Sequence, residues 1–266
     1  MRGKRVLVVT AALLAGLAAS APLDAARDAV EAAAVAIFAY RDRAGRPTGW
    51  PMTPYRDGDA LVVTSTLAFM RKTEAVRRDG RVALLVGGWL VQGTARVHAD
   101  VSGDELVARY LDAELRKYPP ARDLVAVPLH RWIFDWYFGR VFVTIAPERV
   151  TALPGGDGAT LITLDADGLP RIAPIAPPPL AAARFPVPAP DGVATVLLHA
   201  EDPELRDLRQ LHLYGTVADG TFVVAARRGS LDPSPPRGLW AELAQQLELR
   251  RLGREGRRRV EAWHAH

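Results

Sequence analysis

Three short β-leaning segments precede any long helix in this chain, with turn signals between them. Residues 34–40 form an apolar run, Arg41 to Arg46 a turn, and residues 47–55 a second extended segment that Pro51 and Pro54 confine to a sheet edge or irregular β structure. The Asp57-Gly58 pair marks a hairpin into a third strand at 60–64. Ahead of them, residues 24–33 read as a short amphipathic helix with Asp24 as its N-cap. Ser65-Thr66 is expected to open a helix running to about Asp79, with Gly80 beyond it as the C-terminal glycine. Strands follow at 81–86 and 89–99, joined by Gly87-Gly88. Ser102, with Glu105 three residues on in capping-box register, starts a helix to Lys117 that Tyr118-Pro119-Pro120 ends. Strands at 138–145 and 149–153 complete the unit. The order βββ-α-ββ-α-β fits a small antiparallel barrel with helices, a mainly β α+β fold, better than a doubly wound sheet.

Residues 154–158, Pro-Gly-Gly-Asp-Gly, read as a linker, and the second half of the chain echoes the first. The segments 160–164 and 171–175 around the Asp165–Gly168 turn parallel the hairpin around Arg46, while 193–198 and 211–217 parallel 82–86 and 90–97. Between them, residues 174–190 hold seven prolines and read as irregular loop. The expected organisation is an N-terminal apolar extension (1–23), a first barrel unit (24–153), and a degenerate second unit (159–266) that ends in a helix over 239–263. The second unit has no counterpart of the 65–72 segment, which argues against a second full ligand site.

The chain has 266 residues and no cysteine, so a thiolate nucleophile, a Cys-ligated zinc or iron–sulfur centre and a redox disulfide are all excluded. Only three of its 34 basic side chains are lysines, Lys4, Lys72 and Lys117, which makes a lysine inside a candidate site conspicuous. Residues 1–22 combine a basic start, an apolar stretch from Val6 to Ala18 and a small-residue Ala19-Ser20-Ala21. That pattern leaves a cytoplasmic extension and an export signal or membrane contact both open, with cytoplasmic location the expectation.

Chemistry is best sought where a strand feeds a helix. Ser65 and Thr66 place two hydroxyls at an expected helix N-terminus, which favours an anion, and Lys72 follows within about two turns. The competing motifs fail. The six histidines show no HExxH spacing, and no P-loop, GxSxG or GxGxxG occurs. Asp165 and Asp167 belong to a hairpin turn and lack the other ligands of a calcium loop, so no metal is expected. Trp132, Phe134, Trp136, Tyr137 and Phe138 read as core or lid. The arginines from 250 to 259 complement a helix dipole, and no nucleic-acid-binding motif accompanies them.

Taken together, Gly45-Arg46-Pro47, Asp57 to Leu61, Ser65-Thr66, Arg71-Lys72, Arg77 to Leu84 and Val91-Gln92-Gly93-Thr94-Ala95 resemble the pyridoxamine 5'-phosphate oxidase-like split-barrel flavoproteins over residues 34–153. The resemblance implies an FMN-binding split barrel, with FMN or the deazaflavin F(420) as cofactor. Its phosphate would be held by Ser65, Thr66, Arg71 and Lys72. Its ring would lie along Trp50, Pro51, Met52 and Thr53 and beside Val63 and Thr64, with Gln92 and Gly93 close by. The protein would position the cofactor for two-electron transfer to a small-molecule substrate. It would be a homodimer, or a monomer whose second unit acts as an internal partner. Leu67-Ala68-Phe69-Met70 and Ala75 depart from the family pattern. They motivate the alternative, a non-catalytic split-barrel protein that binds flavin, haem or another ligand.

Overall fold

The computed structural model describes residues 21–126, 134–154, 158–202, 205, 207–233 and 238–263. A helix, α1, occupies residues 21–32. Strands β1 (Ala36–Arg41), β2 (Pro47–Met52), β3 (Pro54–Asp57) and β4 (Ala60–Thr66) come next, then a 3₁₀ turn (Leu67–Phe69) and α2 (Arg71–Arg78). After β5 (Arg81–Val86) and β6 (Trp89–Asp100) comes α3 over residues 104–117, whose Leu106–Tyr110 turn is π-helical. Short helices α4 (Pro120–Val125) and α5 (Asp135–Phe138) lead to β7 (Arg140–Ala152).

These strands form one antiparallel sheet in the order β2-β1-β5-β6-β7-β4-β3. Its two edge strands, β2 and β3, are joined through the single residue Thr53, so the sheet curls until its edges adjoin. Because successive strand residues face opposite ways, one face closes into a barrel interior. Phe38, Tyr40, Leu61, Val63, Leu84, Val91 and Val143 share that core, and Ala26 and Val30 of α1 and Ala75 and Val76 of α2 plug it.

A second antiparallel sheet contains β8 (Ala159–Leu164), β9 (Pro170–Ile175), β10 (Arg184–Pro186), β11 (Gly192–Glu201), β12 (Leu208–Ala218) and β13 (Thr221–Ser230). Its order, β9-β8-β11-β12-β13-β10, matches β2-β1-β5-β6-β7-β4 strand for strand. Both sheets also break register at equivalent places, Gln92/Gly93 and Tyr214/Gly215. At each, a β-carbon on the glycine would collide with a carbonyl of the neighbouring strand, Ala146 or Val223, so these bulges require glycine. The outcome is a mostly antiparallel α+β fold of tandem split-barrel type.

The outer face of the first sheet is covered twice. Ile37, Ala39 and Ala83 pack on Ile162, Ile172 and Leu197 of the second sheet. Hydrogen bonds cross this seam as well, among them Thr195 Oγ1 donating to the Pro47 carbonyl (2.6 Å), Gln92 Nε2 donating to the Pro170 carbonyl (2.9 Å), and His212 Nε2 paired with the Gly49 carbonyl (2.8 Å). On the other flank, Tyr55, Val62 and Phe142 meet Leu106, Tyr110, Trp136 and Tyr137. The last helix, α6 (Leu239–Trp263), returns to the first unit, where Val260 packs on Leu67, Met70 and Val141.

Several elements differ from the sequence expectation. β4 runs through Ser65 and Thr66 because both pair with β7, opposite Val141 and Arg140. The next helix therefore starts only at Arg71, and no hydroxyl caps it. Residues 47–55 split into two strands at Thr53, and the two segments expected at 138–153 are one strand of 13 residues. Asp24 lies inside α1 and pairs with Arg27 (2.9 Å) instead of capping. The start of α3 is held by Asp100, whose carboxylate accepts from the backbone N–H groups of Ser102 and Glu105 (both 2.8 Å); Glu105 turns to His98 and Arg109. The proline-rich loop contains β10, and β13 has no counterpart among the expected strands. Residues 1–20 of the apolar extension expected over 1–23 lie outside the described residues, as does Trp132, while residues 21–23 begin α1. Among those described, no helix is long and apolar enough to cross a membrane.

Candidate functional site

The twelve residues expected to hold a cofactor lie on β2, β4, α2 and β6 or next to them. Ser65 and Thr66 are consecutive in a strand, so their side chains project to opposite faces. Ser65 is buried, and among the described residues its hydroxyl reaches only the Thr66 carbonyl, at 3.4 Å. Thr66 Oγ1 is buried with no hydrogen-bond partner among the described residues.

Arg71 points to the C-terminal helix and pairs with Glu255 at 2.7 Å. Glu255 also binds Arg259 (2.8 Å), and Arg259 reaches Glu74 (3.2 Å), which gives a chain of alternating charge along the α2–α6 contact. Hydrogen bonds from Arg259 and Arg71 hold the Glu255 carboxyl down at about 2.

Lys72 takes a different direction. Its ammonium sits 5.3 Å from the centre of the Trp50 ring, a cation–π contact. Burial pushes its pKa down to about 8. Trp50 is itself fixed: its indole N–H donates to the Tyr40 hydroxyl (3.1 Å), and its ring lies 4.8 Å from that of His212 on the second sheet. His212 stacks on Tyr214, over which the Arg46 guanidinium sits at 5.4 Å.

Gln92 faces the second unit, where Pro170 and Asp165 take its amide, and Gly93 forms the bulge beside it. Val63 points into the barrel core. Thr64 is half-buried opposite Phe142. Pro51, Met52 and Thr53 line a cleft of about 170 Å³ with Val35, Tyr118, Leu205 and Leu208. That is well under the roughly 300 Å³ at which pockets for drug-sized ligands begin.

These placements test the fit of a flavin phosphate. Two hydroxyls on opposite faces of a strand, an arginine neutralised by Glu255 and a lysine laid on an indole do not converge on one anion. The residues present do not form the expected four-residue cradle.

A cluster that the sequence reading missed lies behind β4. Glu114 and Arg140 are both buried and pair at 2.7 Å, and Glu114 also accepts from the hydroxyls of Tyr55 and Tyr137. Burial, reinforced by the Glu114 charge, raises both tyrosine pKa values. Nearby, Lys117 donates to the Val30 (2.5 Å) and Pro54 (2.7 Å) carbonyls; burial pushes it down to about 8. Spacing carried the signal: Leu106, Tyr110 and Glu114 recur every four residues on the buried face of α3. Among the described residues, no group of three or more His, Asp and Glu is arranged to hold a metal ion.

No family model and no curated protein matches the chain. Among solved structures, it is similar to a putative pyridoxamine 5'-phosphate oxidase from Listeria innocua, with 21% identity and a TM-score of 0.35 over 50% of this chain and 98% of the other. A protein described as an F420 reductase shows 21% identity and a TM-score of 0.36, over 47% of this chain and 94% of its own. A FAD-binding protein from Mesorhizobium loti gives 21% and 0.32, over 46% and 87%.

Proposed function

We propose that this chain is a small-molecule-binding protein on a tandem split-barrel scaffold, comprising units 24–153 and 159–266, in which protein contacts have taken over the groups that would hold a flavin phosphate. The observation that carries this reading is the Arg71–Glu255 pair, which commits the cradle's arginine to the chain's own last helix. Gln92, spent on the seam, and the small cleft at Pro51–Thr53 support it further. The second unit takes the place of an external partner across the first sheet. The test is an absorbance and fluorescence titration of the protein with FMN, F(420) and haem. The expected result is no saturable uptake of either flavin; tight binding of one overturns the reading.

A second reading, an FMN- or deazaflavin-dependent oxidoreductase acting on a small molecule, is favoured by one specific pair of features. Lys72 has no carboxylate partner among the described residues, and Thr66 Oγ1 is buried and unpaired. Under that reading the flavin would bind, and Lys72→Ala with Thr66→Ala would weaken it while leaving the fold intact.

A further inference from the structure

The last helix has one side committed to the fold and one side bare. Leu249, Gly253, Gly256 and Val260 recur every three to four residues and are buried, so this is the side that α6 lays on the first unit. Trp240, Leu243 and Leu247 follow the same spacing on the opposite side and are 82%, 46% and 64% exposed. Trp240 and Leu247 are the two most exposed large apolar side chains among the described residues. Helical rotation carries that outward row on through Arg251, Arg254 and Arg258, all exposed. From the tryptophan to the last arginine it spans about 27 Å.

The arginines of this row are set apart from the others on the helix. Arg257 donates to the Val101 carbonyl (3.2 Å), and Arg259 pairs with Glu255 (2.8 Å) and Glu74 (3.2 Å), so both serve the fold. Arg251 is held by Glu248 (2.6 Å). Arg254 and Arg258 have no carboxylate partner among the described residues. With Arg251 and Glu255 they surround an open space of about 480 Å³ on the helix surface. A single exposed leucine needs no explanation, whereas a contiguous apolar row that runs into unpaired cations marks a surface for contact.

Whatever covers this row must offer hydrocarbon at one end and negative charge at the other. Nucleic acid has phosphates for the arginines and nothing apolar for two leucines. A second copy of the face brings three more arginines, and its Glu248 and Glu255 are already engaged with arginine. An anionic bilayer supplies both requirements, because tryptophan and leucine settle at the boundary of head groups and acyl chains while guanidinium groups reach lipid phosphates. We propose that the outward face of α6 docks this protein on an anionic lipid surface, with Trp240, Leu243 and Leu247 in the interface and Arg254 and Arg258 on the head groups. The helix lies along the membrane in this arrangement and does not cross it.

Co-sedimentation of the full chain with vesicles tests it, using phosphatidylcholine alone and an equimolar mixture of phosphatidylcholine and phosphatidylglycerol. The mixed vesicles are expected to pull the protein down and the neutral ones to leave it in solution, with binding lost as salt is raised. An arginine near an anionic leaflet is worth about fivefold in affinity, so Arg254→Gln with Arg258→Gln should weaken binding by at least about tenfold. Leu243→Ser with Leu247→Ser should weaken it by a similar factor, because both leucines would leave the interface. These side chains are exposed, so the thermal unfolding transition should stay where it is in both variants. No sedimentation with the mixed vesicles, equal sedimentation with the two kinds, or binding unmoved by either pair of substitutions overturns the proposal. So does a random-sequence DNA duplex bound as tightly as the mixed vesicles and insensitive to the leucine pair, which would make the row a phosphate-binding surface. A lipid-free dimer by light scattering that the leucine pair dissolves would assign the face to a second copy instead.

Discussion

Gly256 of the C-terminal helix rests directly on the carbonyl of Leu67, so closely that a β-carbon at 256 would collide with it. Gly253, one turn earlier, meets the Cβ of Trp136 in the same way. Glycine in a helix interior costs about 1 kcal/mol relative to alanine, and here that cost is offset by close packing of α6 on the 3₁₀ turn. Gly256→Val should therefore lift the helix and destabilise the protein by about 1–3 kcal/mol, the usual range for overpacking. Thermal unfolding and limited trypsin digestion check it. The arginines between 250 and 259 should become the first sites cut, and an unchanged digestion pattern would show that the helix does not depend on this contact.

The same helix supplies Glu255 to Arg71. Glu255→Gln removes that charge and leaves Arg71, already 69% exposed, free to meet an anion. Affinity for inorganic phosphate, followed by calorimetry, should rise several-fold over the parent protein, and Arg71→Ala in the Glu255→Gln background should reverse the gain. If phosphate binds equally to all three proteins, Arg71 is no latent anion site.

The barrel was legible because its information is local. Hairpin signals such as Asp57-Gly58 and the short apolar runs of β4 and β5 fix strands and turns within a few residues. The illegible parts depend on partners distant in sequence. Ser65 and Thr66 look like a helix cap from their neighbours alone; only pairing with Val141 and Arg140, some 75 residues away, keeps them in a strand. Arg71 looks free until a helix more than 180 residues later brings Glu255 to it. Glycines 253 and 256 did carry a readable hint of close helix packing, one that the surrounding arginines obscured.

The Glu114–Arg140 pair is buried on both sides, with side-chain exposures of 4% and 6%. Removing one member leaves the other charge without compensation, so Glu114→Ala should cost about 3–5 kcal/mol. Tyr137→Phe, which takes away one hydrogen bond to that carboxylate, should cost about 1.5–3 kcal/mol. Urea denaturation gives both values. A cost for Glu114→Ala no larger than for Tyr137→Phe would mean that the cluster is solvated enough to tolerate a lone arginine.

Lys72 and Lys117 predict an alkaline gain in stability. Each gives up its proton near pH 8 in the folded chain, against 10.5 when unfolded. Between those values the unfolded chain binds more protons, so stability rises with pH. Above about pH 10 the buried tyrosines act in the opposite sense, because their raised pKa values keep them protonated in the fold while the unfolded chain ionises. On the acid side, burial lowers His199 and His212 below 6.5, so stability should fall as pH drops under that value and the unfolded histidines take up protons first. Urea midpoints measured from pH 5 to 9.5 should therefore climb across both windows. Lys72→Met should flatten the climb above pH 8 and leave the acid limb in place; an unaltered alkaline slope would mean that the Lys72 ammonium remains solvated over Trp50.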